Sequence, residues 1–173
     1  IDAARVAGAD AVKFQAFRAD DLYPRESEHW NTVKPLELPV EWLRHLAARC
    51  DLIGIEFMCS AFSEEMVDAV DPYVKRHKVA SLEITDLSLL RHIASKGKPV
   101  VMSTGAATER QVRAAKAVLL GWDIPEPDPE KRYERTNRFP LSLMHCTTAY
   151  PTDPEEANLL TIRLWDNQDY QGL

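Results

Sequence analysis

HKVASLEITDLSLLRHIASKGKPVVMSTG (His77–Gly105) holds a strand, a helix and a second strand in one short stretch. HKVASLEI has the apolar weight of a buried strand. Asp86 follows where a helix N-cap is wanted, because a carboxylate there accepts from first-turn N–H groups. LSLLRHIASKG spaces its apolar residues at helical intervals, carries basic residues near its end and stops at Gly97. PVVMSTG is a continuous apolar run that closes in small polar residues. This order predicts two parallel strands joined by a crossover helix.

The same alternation runs through the rest of the chain. DAVKFQ (Asp10–Gln15) reads as a strand, and Lys13 and Gln15 fall on one face of it. A polar stretch from Arg18 to Pro35, with Tyr23 and Trp30 in it, is too long for a simple connection and reads as a functional loop. Pro39 begins a helix, PVEWLRHLAARC, with Val40, Leu43, Leu46 and Ala47 on one face. IGIEFMCSAF reads as a strand, and Ser63 as the cap of the helix SEEMVDAV. Thr108 begins ERQVRAAKAVLLG. The Pro-rich, charged segment at 122–140 reads as an exposed excursion. LSLMHCTTAY is a strand, PTDPEEANLLTIRLW a helix led by proline and acids, and DYQGL the start of a sixth strand. Continuous apolar strands alternating with amphipathic helices predict an α/β fold with a parallel sheet. An open doubly wound sheet and a (β/α)8 barrel both satisfy that pattern. The chain contains neither GxGxxG nor GxxxxGK, the nucleotide signatures of open sheets.

The 173 residues suffice for one domain with a proper core, at 45% hydrophobic and 28% charged content. A net charge of −6 argues against a broad nucleic-acid-binding face, but leaves room for a small anion in a local basic pocket. No apolar run is long enough to span a membrane. The three cysteines, Cys50, Cys59 and Cys146, are widely spaced and form no CxxC pattern, so reduced thiols and a cytoplasmic setting are expected. The chain opens at Ile1 in mid-pattern and reads as a fragment.

Polar residues gather where each strand finishes: Lys13 and Gln15; Ser60; Lys78, Ser81 and Glu83; Ser103 and Thr104; Thr147, Thr148 and Tyr150. In both α/β architectures the C-terminal strand ends carry the active site. Two lysines among hydroxyls make an anion cradle for phosphate or carboxylate. His145 reads as a satisfied core histidine, and His29, His45, His77 and His92 lack ligand spacing.

DAVKFQ, HKVASLEITDLSLLRHIASKGKPVVMSTGAAT and HCTTAYPTDPEEANLLTI resemble the N-acetylneuraminate (sialic acid) synthase family in order and spacing, over nearly the whole chain. That resemblance implies a (β/α)8 TIM barrel, with about six of its βα units in this chain. It implies a partial barrel over residues 1–173, lacking the first strand, the last strands and a C-terminal antifreeze-like domain. It implies a transferase of carbohydrate biosynthesis that condenses phosphoenolpyruvate with an N-acylated amino sugar, N-acetylmannosamine or a relative, and releases phosphate. Pseudaminic or legionaminic acid synthesis is the alternative within the family, since ASLEITD and PEEANL lean toward the pseudaminic type. A non-catalytic anion-binding barrel is the alternative outside it.

Carried over by motif, Lys13 and Lys78 look like the lysines that hold phosphoenolpyruvate, with Ser60, Ser81 and Ser103 as hydroxyl partners. Gln15, Glu83 and Tyr150 resemble the sugar contacts, and Lys13, Lys78 and Glu83 are the expected catalytic set. Ser60 stands where many members have threonine, and Thr148, also a substrate contact by position, stands where they have serine or asparagine. A divalent metal, Mn or Mg, is implied, with its ligands outside this chain. A homodimer is implied for the full-length enzyme.

Overall fold

The computed structural model describes residues 1–121 and 139–163. Most of the Pro-rich excursion and the sixth strand expected at 169–173 lie outside the described residues. The chain divides into two compact units, Ile1–Lys78 and Val79–Leu173.

The first unit opens with a short helix, α1 (Asp2–Val6), that the sequence reading missed. Strand β1 (Ala11–Ala16) follows and pairs in parallel with β2 (Glu56–Ala61), from Ala11↔Glu56 to Ala16↔Ala61. The segment between them is not an open loop. It holds α2 (Ala19–Leu22), α3 (Glu28–Val33) and a 3-10 turn, Lys34–Leu36. The helix expected from Pro39 begins instead as a 3-10 turn, Val40–Trp42, because Trp42 N–H bonds to the Pro39 carbonyl at 2.9 Å. It becomes α-helical as α4 (Leu43–Ile53). Leu43, Ala47 and Cys50 are its buried stripe, while Val40 stays outside the core. Helix α5 (Glu64–Val70) starts at Ser63 as read, but the Ser63 hydroxyl accepts no capping bond. Glu64 and Glu65 complement the positive end of the helix instead. Met66, Val67 and Val70 of α5 are buried, each contributing roughly 1.5–3 kcal/mol by burial.

Strand β3 (His77–Val79) is much shorter than HKVASLEI predicted. After Val79 the backbone turns on itself: Glu83 N–H bonds to Ala80 O at 3.2 Å, and Leu82–Thr85 forms a 3-10 turn. Ser81 and Glu83 therefore sit on a turn beyond the strand, not within it.

The second unit continues with α6 (Leu87–Ser95), capped as expected by Asp86, whose carboxylate accepts from Leu89 N–H at 2.9 Å. Gly97 ends that helical region at φ 67°, a conformation glycine adopts without a Cβ penalty. Strand β4 (Val100–Ser103) pairs in parallel with β5 (Leu141–Met144), from Val100↔Leu141 to Ser103↔Met144. Helix α7 (Glu109–Leu119) opens with a capping box between Thr108 and Gln111. Leu89, Leu90, Ile93, Met102, Leu119 and Leu141 are buried in this unit.

The helix read at PTDPEEANLLTIRLW is corrected for its first ten residues, which are turns, bends and irregular backbone. Asp153 Oδ1 takes the Glu155 N–H at 3.0 Å, and Asn158 has φ 45°. A side chain competing for the backbone and a left-handed residue both interrupt a helical ladder.

Candidate active site

The first unit sets four of the expected residues on one face. Strand partners in a parallel pair point the same way, and side chains alternate along each strand. The register pairs Lys13↔Met58, Gln15↔Ser60 and Ser60↔Lys78. Lys13, Gln15, Ser60 and Lys78 thus share a face, and Gln15, Ser60 and Lys78 form a row across three strands. Strand spacing makes that row about 10 Å wide, the scale of a small phosphorylated metabolite. Lys13 and Gln15 are exposed on it. Ser60 is 1% exposed and Lys78 only 7%. Among the described residues Ser60 Oγ has no hydrogen-bond partner. A buried hydroxyl left unpaired costs stability and is rare enough to call for a reason. Cys59 lies on the opposite face, where burial pushes its thiol up to about 12 against the downward pull of the Lys13 charge.

The second unit groups the hydroxyls. Gly105 N–H donates to Ser81 Oγ at 3.2 Å. Ser103 ends β4 with 6% exposure. Thr104 next to it donates both its N–H and its hydroxyl to the Met144 carbonyl, at 3.1 and 2.9 Å. Those bonds join the ends of β4 and β5. Cys146 Cβ and O would stand 3.3 Å from a Cβ at Gly105, so this corner has no room for one. Glu83 is half-buried on its 3-10 turn. Thr148 is exposed, and Tyr150 is 98% exposed. His145 is half-buried just beyond β5 rather than central in a strand, and its Nε2 lies 2.8 Å from the Ala157 carbonyl.

Tyr23 and Trp30 pack within their own segment. Trp30 Nε1 donates to Asp20 Oδ1 at 2.9 Å, the Lys34 ammonium lies 5.7 Å from the Trp30 ring, and Tyr23 meets His29 at 5.3 Å between ring centroids. Asp20 also takes two bonds from Arg25, which hold its carboxyl below the usual range, helped by Trp30. Just beyond β1 a cavity of about 390 Å³ is lined by Phe17, Arg18, Lys34, Glu37, Val40 and Met66. Its cations are already paired, Arg18 with Glu65 and Lys34 with Glu37.

Sequence reasoning missed two features. Nothing in STG says that Gly105 must approach Ser81, because that contact joins residues 24 apart. Nor did His77 stand out: read as a loop or helix histidine without ligand spacing, it is instead a buried residue of β3 with Nε2 2.9 Å from Asp71 Oδ1. Among the described residues no group of three His, Cys, Asp or Glu could hold a metal ion, so the metal implied by the resemblance finds no ligand set there. No described helix is long and apolar enough to cross a membrane.

Comparison with known proteins gives consistent matches. The profile of the NeuB family matches residues 1–169. The chain is 36% identical to an N,N'-diacetyllegionaminic acid synthase of Legionella pneumophila, over 91% of the chain and 46% of the relative. It is 32% identical to a spore coat polysaccharide biosynthesis protein of Bacillus subtilis, over 94% of the chain and 43% of the relative. The crystal structure of an N-acetylneuraminic acid synthetase from Leptospira borgpetersenii, in complex with citrate, superimposes with a TM-score of 0.81 at 27% identity. That match covers 95% of this chain and 53% of the other. The chain thus spans about half the length of the curated relatives it matches.

Proposed function

The chain belongs to the NeuB family and has its α/β, (β/α)8-barrel fold class, and from that premise we propose that the intact protein is a phosphoenolpyruvate-dependent nonulosonic acid synthase. It joins phosphoenolpyruvate to the open-chain aldehyde of an N-acylated amino sugar. The phosphoenolpyruvate methylene carbon attacks the aldehyde carbon and forms the new C–C bond. Water adds to the former C2, and the tetrahedral intermediate expels phosphate by C–O cleavage. The products are a sialic-type acid and inorganic phosphate.

The observation that carries this reading is the row Gln15, Ser60, Lys78, with Lys13 on the same face. Lys13 and Lys78 supply fixed positive charge for the phosphate and carboxylate of phosphoenolpyruvate. The Ser60 hydroxyl, buried and without a partner among the described residues, donates to the same anion. Ser81 and Ser103 act as further hydroxyl partners. Gln15, Glu83, Thr148 and Tyr150 contact and orient the sugar, which turns a bimolecular encounter into a positioned one. The intact enzyme works as a homodimer, as the family resemblance implies, in the cytoplasm that its reduced thiols suggest.

The sugar is N-acetylmannosamine or a relative. Identity of 36% to the legionaminic relative favours a diacylated amino sugar as the second reading. Phosphate release by the intact protein, measured with phosphoenolpyruvate and each amino sugar in turn, tests the proposal. Release that requires both substrates supports it, and the sugar with the highest kcat/KM names the product. Phosphoenolpyruvate binding without release on any amino sugar would leave an anion-binding barrel in its place.

A further inference from the structure

We propose that the aromatic pair Phe17 and Phe62, with the cavity that Phe17 lines, receives the N-acyl group of the amino sugar and sets which acyl group the site accepts. The inference rests on the functional reading above, in which Gln15 contacts the sugar. Lys13↔Met58 and Gln15↔Ser60 are successive pairs on one face of β1 and β2. The ladder runs one bond past its last register pair, Ala16↔Ala61, because Phe62 N–H bonds to Ala16 O at 3.2 Å. The next pair in the column of Gln15 and Ser60 is therefore Phe17 opposite Phe62. Their rings meet edge-on, with centroids 5.9 Å apart and planes at 81°. Within two residues, about 7 Å along the strand, the column changes from polar to aromatic.

The cavity of about 390 Å³ begins at that point, with Phe17, Leu38, Val40 and Met66 as its apolar wall. Its size falls in the range of small-molecule sites, which are mostly apolar with a few polar groups. The charged side chains that line it are held in ion pairs, Arg18 with Glu65 and Lys34 with Glu37. A cation already neutralised by a carboxylate adds little attraction for an anion. Phosphoenolpyruvate therefore belongs with Lys13 and Lys78, and this cavity suits a neutral group. An N-acyl substituent has the complementary chemistry. Its amide is a dipole, whose N–H and C=O can each meet one member of an ion pair, and its alkyl end packs on Phe17, Val40 and Met66. Arg18 and Lys34 belong to the long segment that the sequence marks as a functional loop. A sugar held at Gln15 has its acyl group within reach of this wall, two residues farther along the same column.

The test uses the intact protein and compares kcat/KM for its preferred amino sugar in N-acetyl and N-butanoyl forms. Phosphoenolpyruvate affinity and thermal melting are the controls. Phe17→Ala widens the cavity. Val40→Trp fills it from a position that is 42% exposed, and serves if Phe17→Ala does not fold. An apolar pocket reads one methylene as roughly a tenfold difference or more. Phe17→Ala is therefore expected to raise the butanoyl-to-acetyl ratio about tenfold and Val40→Trp to lower it about tenfold, with phosphoenolpyruvate affinity within about twofold in both. A ratio unmoved in every variant that melts normally overturns the proposal and leaves the functional reading standing. A loss of phosphoenolpyruvate affinity as large as the change in ratio overturns it too. A parent protein that releases no phosphate from phosphoenolpyruvate with any amino sugar sinks the functional reading and this proposal together.

Discussion

Gly105 donates its N–H to Ser81 Oγ across 3.2 Å, and a Cβ on Gly105 would stand 2.9 Å from that same oxygen. The close approach and the hydrogen bond are one feature. Any side chain at 105 displaces the hydroxyl that the backbone holds. Gly105→Ala is expected to weaken phosphoenolpyruvate binding about five- to tenfold and to cost on the order of 1–3 kcal/mol in stability through overpacking. Calorimetric binding and thermal melting check the two effects. A variant that loses stability and keeps full affinity would remove Ser81 from the set of ligand contacts.

Lys78 and Glu83 separate the two halves of the proposed chemistry. Lys78→Met keeps most of the aliphatic stem and removes the charge. A charge-assisted contact of about 1.5–3 kcal/mol is lost, or about one to two decades of phosphoenolpyruvate affinity. Amino sugar affinity should change far less. Glu83→Gln should weaken the sugar and leave phosphoenolpyruvate nearly untouched. Apparent affinities for each substrate in both variants decide the matter, and equal weakening of both by Lys78→Met would end its assignment.

Ser60 gives an unusual sign. Its buried hydroxyl has no partner among the described residues, so the free protein gains nothing from it. Ser60→Ala should melt at the same temperature as the parent or higher, because an unsatisfied buried donor is removed. The same change should lower phosphoenolpyruvate affinity by about 1 kcal/mol, roughly fivefold. A lower melting temperature with unchanged affinity is the result this account cannot accommodate.

Cys59 makes stability fall in alkali. Burial raises its thiol to about 12 in the fold, against about 9.0 for an exposed thiol in the unfolded chain. The folded chain therefore keeps the proton that the unfolded chain releases between these limits. The contribution is fully present below pH 9 and is lost progressively as the pH rises toward 12. By pH 10 the loss is on the order of 1 kcal/mol. Urea titrations of the parent and of Cys59→Ala at neutral pH and pH 10 measure it. Equal alkaline losses in both proteins would assign the effect to other groups.

Local patterns were legible wherever they depend on few residues. Asp86 was read as a cap and Thr108 as the start of its helix, and both are caps, because a cap is a contact between near neighbours. Lys13 and Gln15 were placed on one face from the two-residue period of a strand, and β1 shows them both exposed. Their alignment with Ser60 and Lys78 followed from the strand ends. Ser63 failed as a cap although it has the right residue type and position, because hydroxyl orientation is not written in the sequence. HKVASLEI has the composition of a long strand, yet turn bonds at Ala80 and Glu83 end it after three residues. The Ser81–Gly105 contact was illegible for another reason: it depends on where two separate strand ends arrive.

The segment between β1 and α4 is held largely by its own contacts. Trp30 and Arg25 meet on Asp20, while Glu37 accepts from Ala19 N–H at 2.6 Å and pairs with Lys34. Among its ties outward are the Arg18–Glu65 pair and the edge-on packing of Phe17 against Phe62. Such a piece is a cassette. Laboratory recombination between relatives can exchange it as one block, joined at Phe17 and Leu43, with its internal bonds travelling along. The lysines at 13 and 78 stay behind in the recipient scaffold, so the block can diversify without rewriting the proposed anion contacts.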